Sequence, residues 1–370
     1  MSNLNPLVRT FTGTQRIETI EDYVRWRGDL SFAQSPLNQI DSMIFCQLSY
    51  VDFTSVLKQD DARGMTLSAA GRKIRELGTY RLCNLYGGHE DFFEQVCASR
   101  RFGKVLLRSY RDIFDENSDA QFAAIEFAMG NLESFIAFRG TDNSIVGWKE
   151  DFMISFTRIR SQEYAIDYLD RVMHLGRKYY IGGHSKGGNL AMFAAAWLTP
   201  ARLKQVKRIY DLDGPGFCPE NFDRSRLNPL LALTTRIVPE FCIIGKIFEL
   251  QVPDTHIVRS TAMGVDQHDL MSWLIDGMEL QAAVENDKIA DWFNRTIAEW
   301  VADATFEERQ TFVNEFFGAL AAGGANTMQE VAGKGLLDVV RAMASASPTS
   351  RKLVADLAAV AVLGSRREQS

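Results

Sequence analysis

The 370-residue chain has no uninterrupted apolar run long enough to span a bilayer, which excludes a simple membrane-spanning helix. It has no excess of positive charge. Its 41 lysines and arginines stand against 47 aspartates and glutamates, so no strong basic face is implied and nucleic acid is not an expected partner. It has only five cysteines, at 46, 83, 97, 218 and 242, and no C-x-x-C pair. That scatter argues against a zinc knuckle or a disulfide scaffold and suits a reducing compartment. The start, Met1-Ser2-Asn3-Leu4-Asn5-Pro6, lacks the basic residues and apolar core of a signal peptide, so a cytoplasmic protein is the expectation. Internal repeats and low-complexity stretches are missing too.

What is present reads as an α/β protein. Residues 1–37 are polar and broken, and read as an N-terminal arm. Residues 38–57 carry Ile40, Met43, Ile44, Leu48, Val51 and Val56, consistent with a buried helix. Residues 65–100 look helical, with a loop near Gly87-Gly88. The period then changes. Residues 102–114, 121–128 and 132–138 alternate or run apolar between turn residues, as a meander of antiparallel strands would. From Tyr164 the order is helix, strand, helix, then strands at 206–212, 235–238 and 256–260. Strands alternating with helices predict a mostly parallel central sheet flanked by helices. After Asp269 the chain reads helical, beginning with Trp273, Leu274, Met278 and Leu280. These readings divide it into an arm (1–37), an α/β domain (38–275) and a C-terminal helical extension (276–370). The Ala-rich, amphipathic end of that extension, 336–363, suits packing on its own domain, and equally a partner or peripheral contact with a membrane surface.

The most informative stretch is Gly183-His184-Ser185-Lys186-Gly187. It has the G-x-S-x-G form between an apolar strand (178–182) and a helix whose Leu190, Phe193, Ala194, Trp197 and Leu198 share one face. Strand, sharp turn and helix form the setting of a nucleophile elbow, where a strained serine is exposed at the end of a strand. The helix turns its N-terminal amides and positive dipole end toward the reacting oxygen. A phosphate loop is excluded, because Lys186 follows the serine rather than preceding it.

A serine nucleophile needs a base, an acid to orient the base and an oxyanion hole. Of the five histidines, His89 precedes the sheet region, His174 lies in the helix before the elbow, and His256 falls in a strand. His184 adjoins the serine and is read as pointing away from it. His268 follows a loop after the last strand, where the chain order serine, acid, histidine puts the base. Two acids are candidates: Glu240, after the strand at 235–238, and Asp213, after the strand at 206–212. Asp211-Leu212-Asp213-Gly214 lacks the later ligands of a calcium loop. No metal or cofactor is implied. The backbone amide of Lys186 supplies one oxyanion donor, and Thr141, in Phe138-Arg139-Gly140-Thr141-Asp142, supplies the second through its amide or hydroxyl. The Lys186 side chain is expected either in solvent or against an anionic group.

These residues carry a resemblance. Phe135-Ile136-Ala137-Phe138-Arg139-Gly140-Thr141, followed by Trp148 and Asp151, is similar to the oxyanion segment of class 3 lipases. The stretches 183–191, Asp213-Gly214-Pro215-Gly216-Phe217 and Gln267-His268-Asp269 more closely resemble the Mbeg-like family of bacterial α/β-hydrolase-fold proteins. The resemblance covers roughly residues 38–275. It implies an α/β-hydrolase fold and an ester-cleaving serine hydrolase acting on a small-molecule acyl ester or lipid-like substrate; a thioester fits the same residues. Where class 3 lipases carry an aspartate, Val238-Pro239-Glu240 stands here. The rival expectation is a non-catalytic hydrolase fold that binds a partner through its helical extension.

Overall fold

A computed structural model describes residues 18–84, 88–115, 120–130, 132–141, 159–218, 222–242, 244–283 and scattered positions between 295 and 352. Its centre is an eight-stranded sheet in which spatial order follows chain order: β1 (Met65–Thr66), β2 (Leu106–Asp115), β3 (Ala120–Gly130), β4 (Glu133–Phe138), β5 (Lys178–His184), β6 (Val206–Leu212), β7 (Thr234–Pro239) and β8 (Thr255–Val258). Strands β1 to β4 pair antiparallel, as the meander reading expects. Strands β4 to β8 pair parallel. The antiparallel pairs need only short turns, whereas each parallel step needs a long crossover.

Period-two alternation sorts side chains onto two faces, both covered. On one face, Ile125, Phe127, Phe135, Ala137 and Tyr180 pack with residues of four helices: α1 (Ile20–Arg27), α2 (Gln39–Leu48), α3 (Leu67–Leu77) and α4 (Glu90–Ala98). On the other, Phe122, Ala124, Ile136, Phe138 and Ile181 meet α5 (Arg160–Val172) and α6 (Lys186–Ala195). Helix α2 is buried from Ile40 to Leu48, including the polar Asp41, Ser42 and Gln47. Asn38 and Asp41 form its capping box, and the buried Asp41 also takes the Arg101 guanidinium (Nε to Oδ1, 2.7 Å).

Helix α1 lies within the segment read as an arm. Its Ile20, Tyr23 and Val24 belong to the same core as α2, and the Tyr23 hydroxyl donates to Asp41 (3.0 Å). The helix expected after Asp269 is replaced by a 3₁₀ turn (Leu270–Ser272) and a hairpin of β9 (Ile275–Asp276) and β10 (Glu279–Leu280). A two-residue loop, Gly277-Met278, joins these strands, and Gly277 has a positive φ of 65°. Trp273, read as part of a helix, is fully buried against the first core, as is Ile275. Most of the extension, including most of 336–363, falls outside the described residues, as do Trp148 and Asp151. Within it, Ala304, Arg309 and Phe312 are buried, and Arg309 reaches Cys218 Sγ (3.8 Å). Among the described residues no helix is long and apolar enough to cross a membrane. The parallel half-sheet, the antiparallel strands leading into it and the strand–turn–helix at its middle make this an α/β-hydrolase fold.

Candidate active site

Strand β5 ends at His184, and α6 begins at Lys186. Between them Ser185 has φ 57° and ψ −130°, a conformation that L residues rarely adopt and that costs about 1–3 kcal/mol. The flanking glycines make the turn sterically possible. A Cβ on Gly183 would lie 2.2 Å from the Gly187 carbonyl carbon, and one on Gly187 would lie 2.1 Å from the Phe138 oxygen. Neighbouring strands hold the strained residue: the Ser185 amide donates to Leu212 O (2.9 Å), and Gly188 N donates to Ser185 O (2.9 Å). Asn189, one turn into α6, ties the helix down. Its side-chain amide donates to Pro215 O and Gly216 O (3.0 Å each) and accepts from Gln162 (3.0 Å).

His268 closes a 3₁₀ turn (Gly264–His268). Its Nδ1–H donates to Asp213 Oδ2 (2.6 Å). The loop is pinned from three sides: Trp273 Nε1 donates to Gln267 O (2.7 Å), Phe241 N donates to Gln267 Oε1 (2.9 Å), and His184 Nε2 donates to the His268 carbonyl (2.8 Å). Because a carbonyl only accepts, Nε2 of His184 must carry the proton. Its Nδ1 then accepts from the Tyr50 hydroxyl (2.9 Å). Burial, reinforced by the neighbouring His268, drops the His184 pKa to about 3, so this ring stays neutral. The two imidazoles lie against each other, tilted by 36°, with centroids 4.4 Å apart. The side chain of His184 therefore supports the His268 loop, a role its position in the motif did not reveal.

Asp213 follows β6, has φ 51° and is buried. Burial alone would raise its pKa, but the hydrogen bond and charge of His268 bring it below the ordinary carboxylate value, helped by Cys242 and His184. A buried ion pair braces the loop beneath it. Arg236 on β7 binds Asp211 on β6 and also donates to the carbonyls of Gly214 and Gly245. Asp211 Oδ1 accepts from Gly214 N (3.0 Å). Glu240, the other acid considered, sits one strand further along the sheet, past β7. Its carboxylate faces Arg259 at 4.0 Å, while Asp213 fills the Nδ1 side of the imidazole. The physical reason is lateral position: the ring rests on His184 at the end of β5, and β6 is the adjacent strand.

Thr141 lies just past β4. In the β4–β5 register Phe138 pairs with Gly183, so Thr141 and Ser185 emerge from the same end of neighbouring parallel strands. The Thr141 hydroxyl is buried with no partner among the described residues. Gly140 is needed for the close approach, since a Cβ there would meet the Tyr50 hydroxyl at 2.1 Å and His184 O at 2.6 Å. Arg139 anchors the segment through two hydrogen bonds to Asp112 (2.8 and 3.0 Å). The Lys186 side chain is not in solvent, the first of its two expected placements; it is buried and its Nζ donates to Gln121 O on β3 (3.0 Å). No hydrogen bond joins the Ser185 hydroxyl to His268 in this arrangement, among the described residues. Contacts of that kind often tighten only when substrate is bound.

Among solved structures, the chain is similar to the crystal structure of M37 lipase, with 20% identity, a TM-score of 0.34, and coverage of 55% of this chain and 68% of that one. It is also similar to lipase II from Rhizopus niveus, with 20% identity, a TM-score of 0.32, and coverage of 49% and 75%. A third, from Penicillium cyclopium, has 17% identity, a TM-score of 0.30, and coverage of 47% and 71%. No curated protein matches significantly. The Mbeg1-like family model matches residues 96–318, more than half of the sequence and both sides of the elbow, and the chain belongs to that family.

Proposed function

We propose that the protein is a serine hydrolase that cleaves a carboxylic ester through an acyl-enzyme on Ser185. The observation that carries this reading is the Asp213–His268 hydrogen bond, 2.6 Å long and made by a buried carboxylate, beside a serine held in an elbow conformation. His268 Nε2 takes the proton of Ser185 Oγ as the oxygen bonds to the ester carbonyl carbon. The same proton passes to the departing alcohol when the carbon–oxygen bond breaks. Water, deprotonated by the same nitrogen, then releases the acid and restores the serine. Asp213, not Glu240, holds the base in the tautomer that leaves Nε2 able to accept. The Lys186 amide and Thr141 stabilise the oxyanion; the Thr141 hydroxyl, without a partner among the described residues, supports that assignment. A lipid-like acyl chain follows from the resemblance of residues 135–141 to class 3 lipases. The five free cysteines favour a reducing compartment.

The test is labelling with a fluorophosphonate probe, together with turnover of p-nitrophenyl esters of graded chain length, for the wild type and Ser185→Ala. Both signals are expected in the wild type and absent from the variant. A folded wild type that shows neither would discard the enzyme reading in favour of a binding role for the fold.

A further inference from the structure

Asp213 is held by more than its histidine. While Oδ2 accepts from His268, Oδ1 accepts from the Cys242 thiol (2.9 Å) and from Gly245 N (3.1 Å). Cys242 is buried. The turn that carries it is built to wrap the carboxylate: a Cβ on Gly245 would lie 2.4 Å from Asp213 Oδ1 and 3.0 Å from Cys242 Sγ. Arg236 fixes that turn through the Gly245 carbonyl. We propose that Cys242 is a positioning residue for the catalytic pair: its thiol donates to Asp213 and sets how strongly that carboxylate holds His268, a role that rests on the serine-hydrolase reading above.

Burial and the charge of Asp213 push the Cys242 thiol far up, so it keeps its proton and remains a donor. Other charged or titratable groups around the pair are engaged elsewhere. From β5 comes the neutral His184, bound to Tyr50 and the His268 carbonyl. From β6 and β7 come Asp211 and Arg236, bound to each other. Lys246, beside Gly245, pairs with Glu249 (3.0 Å). Asp266 and Asp269 flank His268 in its own loop, with His89 acting on Asp269. Among the described residues, only Cys242 and Gly245 donate to Oδ1. A donor there draws negative charge away from Oδ2. Removing it concentrates charge against the imidazole and favours the protonated form of His268.

The experiment follows the His268 imidazole titration by NMR in the full-length wild type, Cys242→Ala and Cys242→Ser, alongside the acid limb of kcat/KM for a p-nitrophenyl ester. Cys242→Ala is expected to move both upward by roughly half a pH unit, because a thiol is a modest donor. Cys242→Ser, with a stronger hydroxyl donor, is expected at or below the wild-type value. A purely packing role would shift both variants the same way, or lower stability without moving the titration, and either result would overturn the inference. If Cys242→Ala does not fold, an upward shift in Cys242→Ser does the same. Turnover with an unmoved titration removes this inference alone. No turnover with the expected shifts removes the hydrolase reading but keeps the thiol's hold on Asp213.

Discussion

If the proposed hydrolase reading holds, replacing Asp213 by asparagine should disable it through the wrong histidine tautomer, and the structure says which way the amide must turn. Two donors, the Cys242 thiol and Gly245 N–H, converge on Oδ1. An asparagine at 213 therefore places its carbonyl oxygen there and its NH2 at the Oδ2 position, 2.6 Å from His268 Nδ1 in the wild type. Two donors cannot face each other, so Nδ1 gives up its proton and accepts, and the proton moves to Nε2. A protonated Nε2 cannot receive the serine proton. The expected loss is about 10⁴-fold in kcat, or about 5.4 kcal/mol of transition-state stabilisation. Glu240→Gln touches only a half-exposed contact with Arg259 at 4.0 Å and is expected to change kcat by less than about fivefold. The assay is ester turnover of both variants, with circular dichroism to confirm folding. Near-normal activity in folded Asp213→Asn, or inactivity of Glu240→Gln, would refute the reasoning and return the acid to the end of β7.

Other expectations follow from single observations. Ser185→Gly should abolish turnover yet raise stability by about 1 kcal/mol, because relief of the strained backbone outweighs the glycine entropy cost, whereas Ser185→Ala keeps the strain; urea denaturation compares the two. Thr141→Val should lower kcat by about 10²-fold without destabilising the fold, since it removes a buried hydroxyl that has no partner among the described residues. His184 has a folded pKa of about 3 against 6.5 for the free group, so the unfolded chain takes up its proton first as pH falls. Its contribution to stability is present above pH 6.5 and is lost between 6.5 and 3 at about 1.4 kcal/mol per pH unit. His184→Gln should flatten that part of the stability-versus-pH curve, measured by chemical denaturation from pH 4 to 7.

The elbow is legible in the sequence because its requirements are local: Gly183 and Gly187 touch each other's neighbourhood within five residues. The acid is not legible in the same way. Asp213 and Glu240 both follow strands, and the choice depends on where a loop 55 residues after Asp213 comes to rest, which His184, Gln267 and Trp273 decide in three dimensions. Lys186 reads as solvated or facing an anionic group, but it is buried and reaches a β3 carbonyl that no spacing rule identifies. Ile20, Tyr23 and Val24 sit in a polar stretch, and Tyr23's partner Asp41 becomes visible only when α1 and α2 pack. The hairpin at 275–280 had a local signal, Gly277-Met278, which was masked by apolar residues at helix-like spacing.

The sheet order has a consequence for assembly. Because each of the eight strands neighbours the next one in the chain, every new strand can add to an edge that already exists. The parallel steps still span crossovers, but their order suits growth from the N-terminal side during synthesis. The groups proposed to react, however, arrive at 185, 213 and 268 in that order. On the proposed mechanism, a growing chain makes Ser185 well before the imidazole that would activate it, and nucleophilic power would appear only once the β8 edge and the loop beyond it have closed.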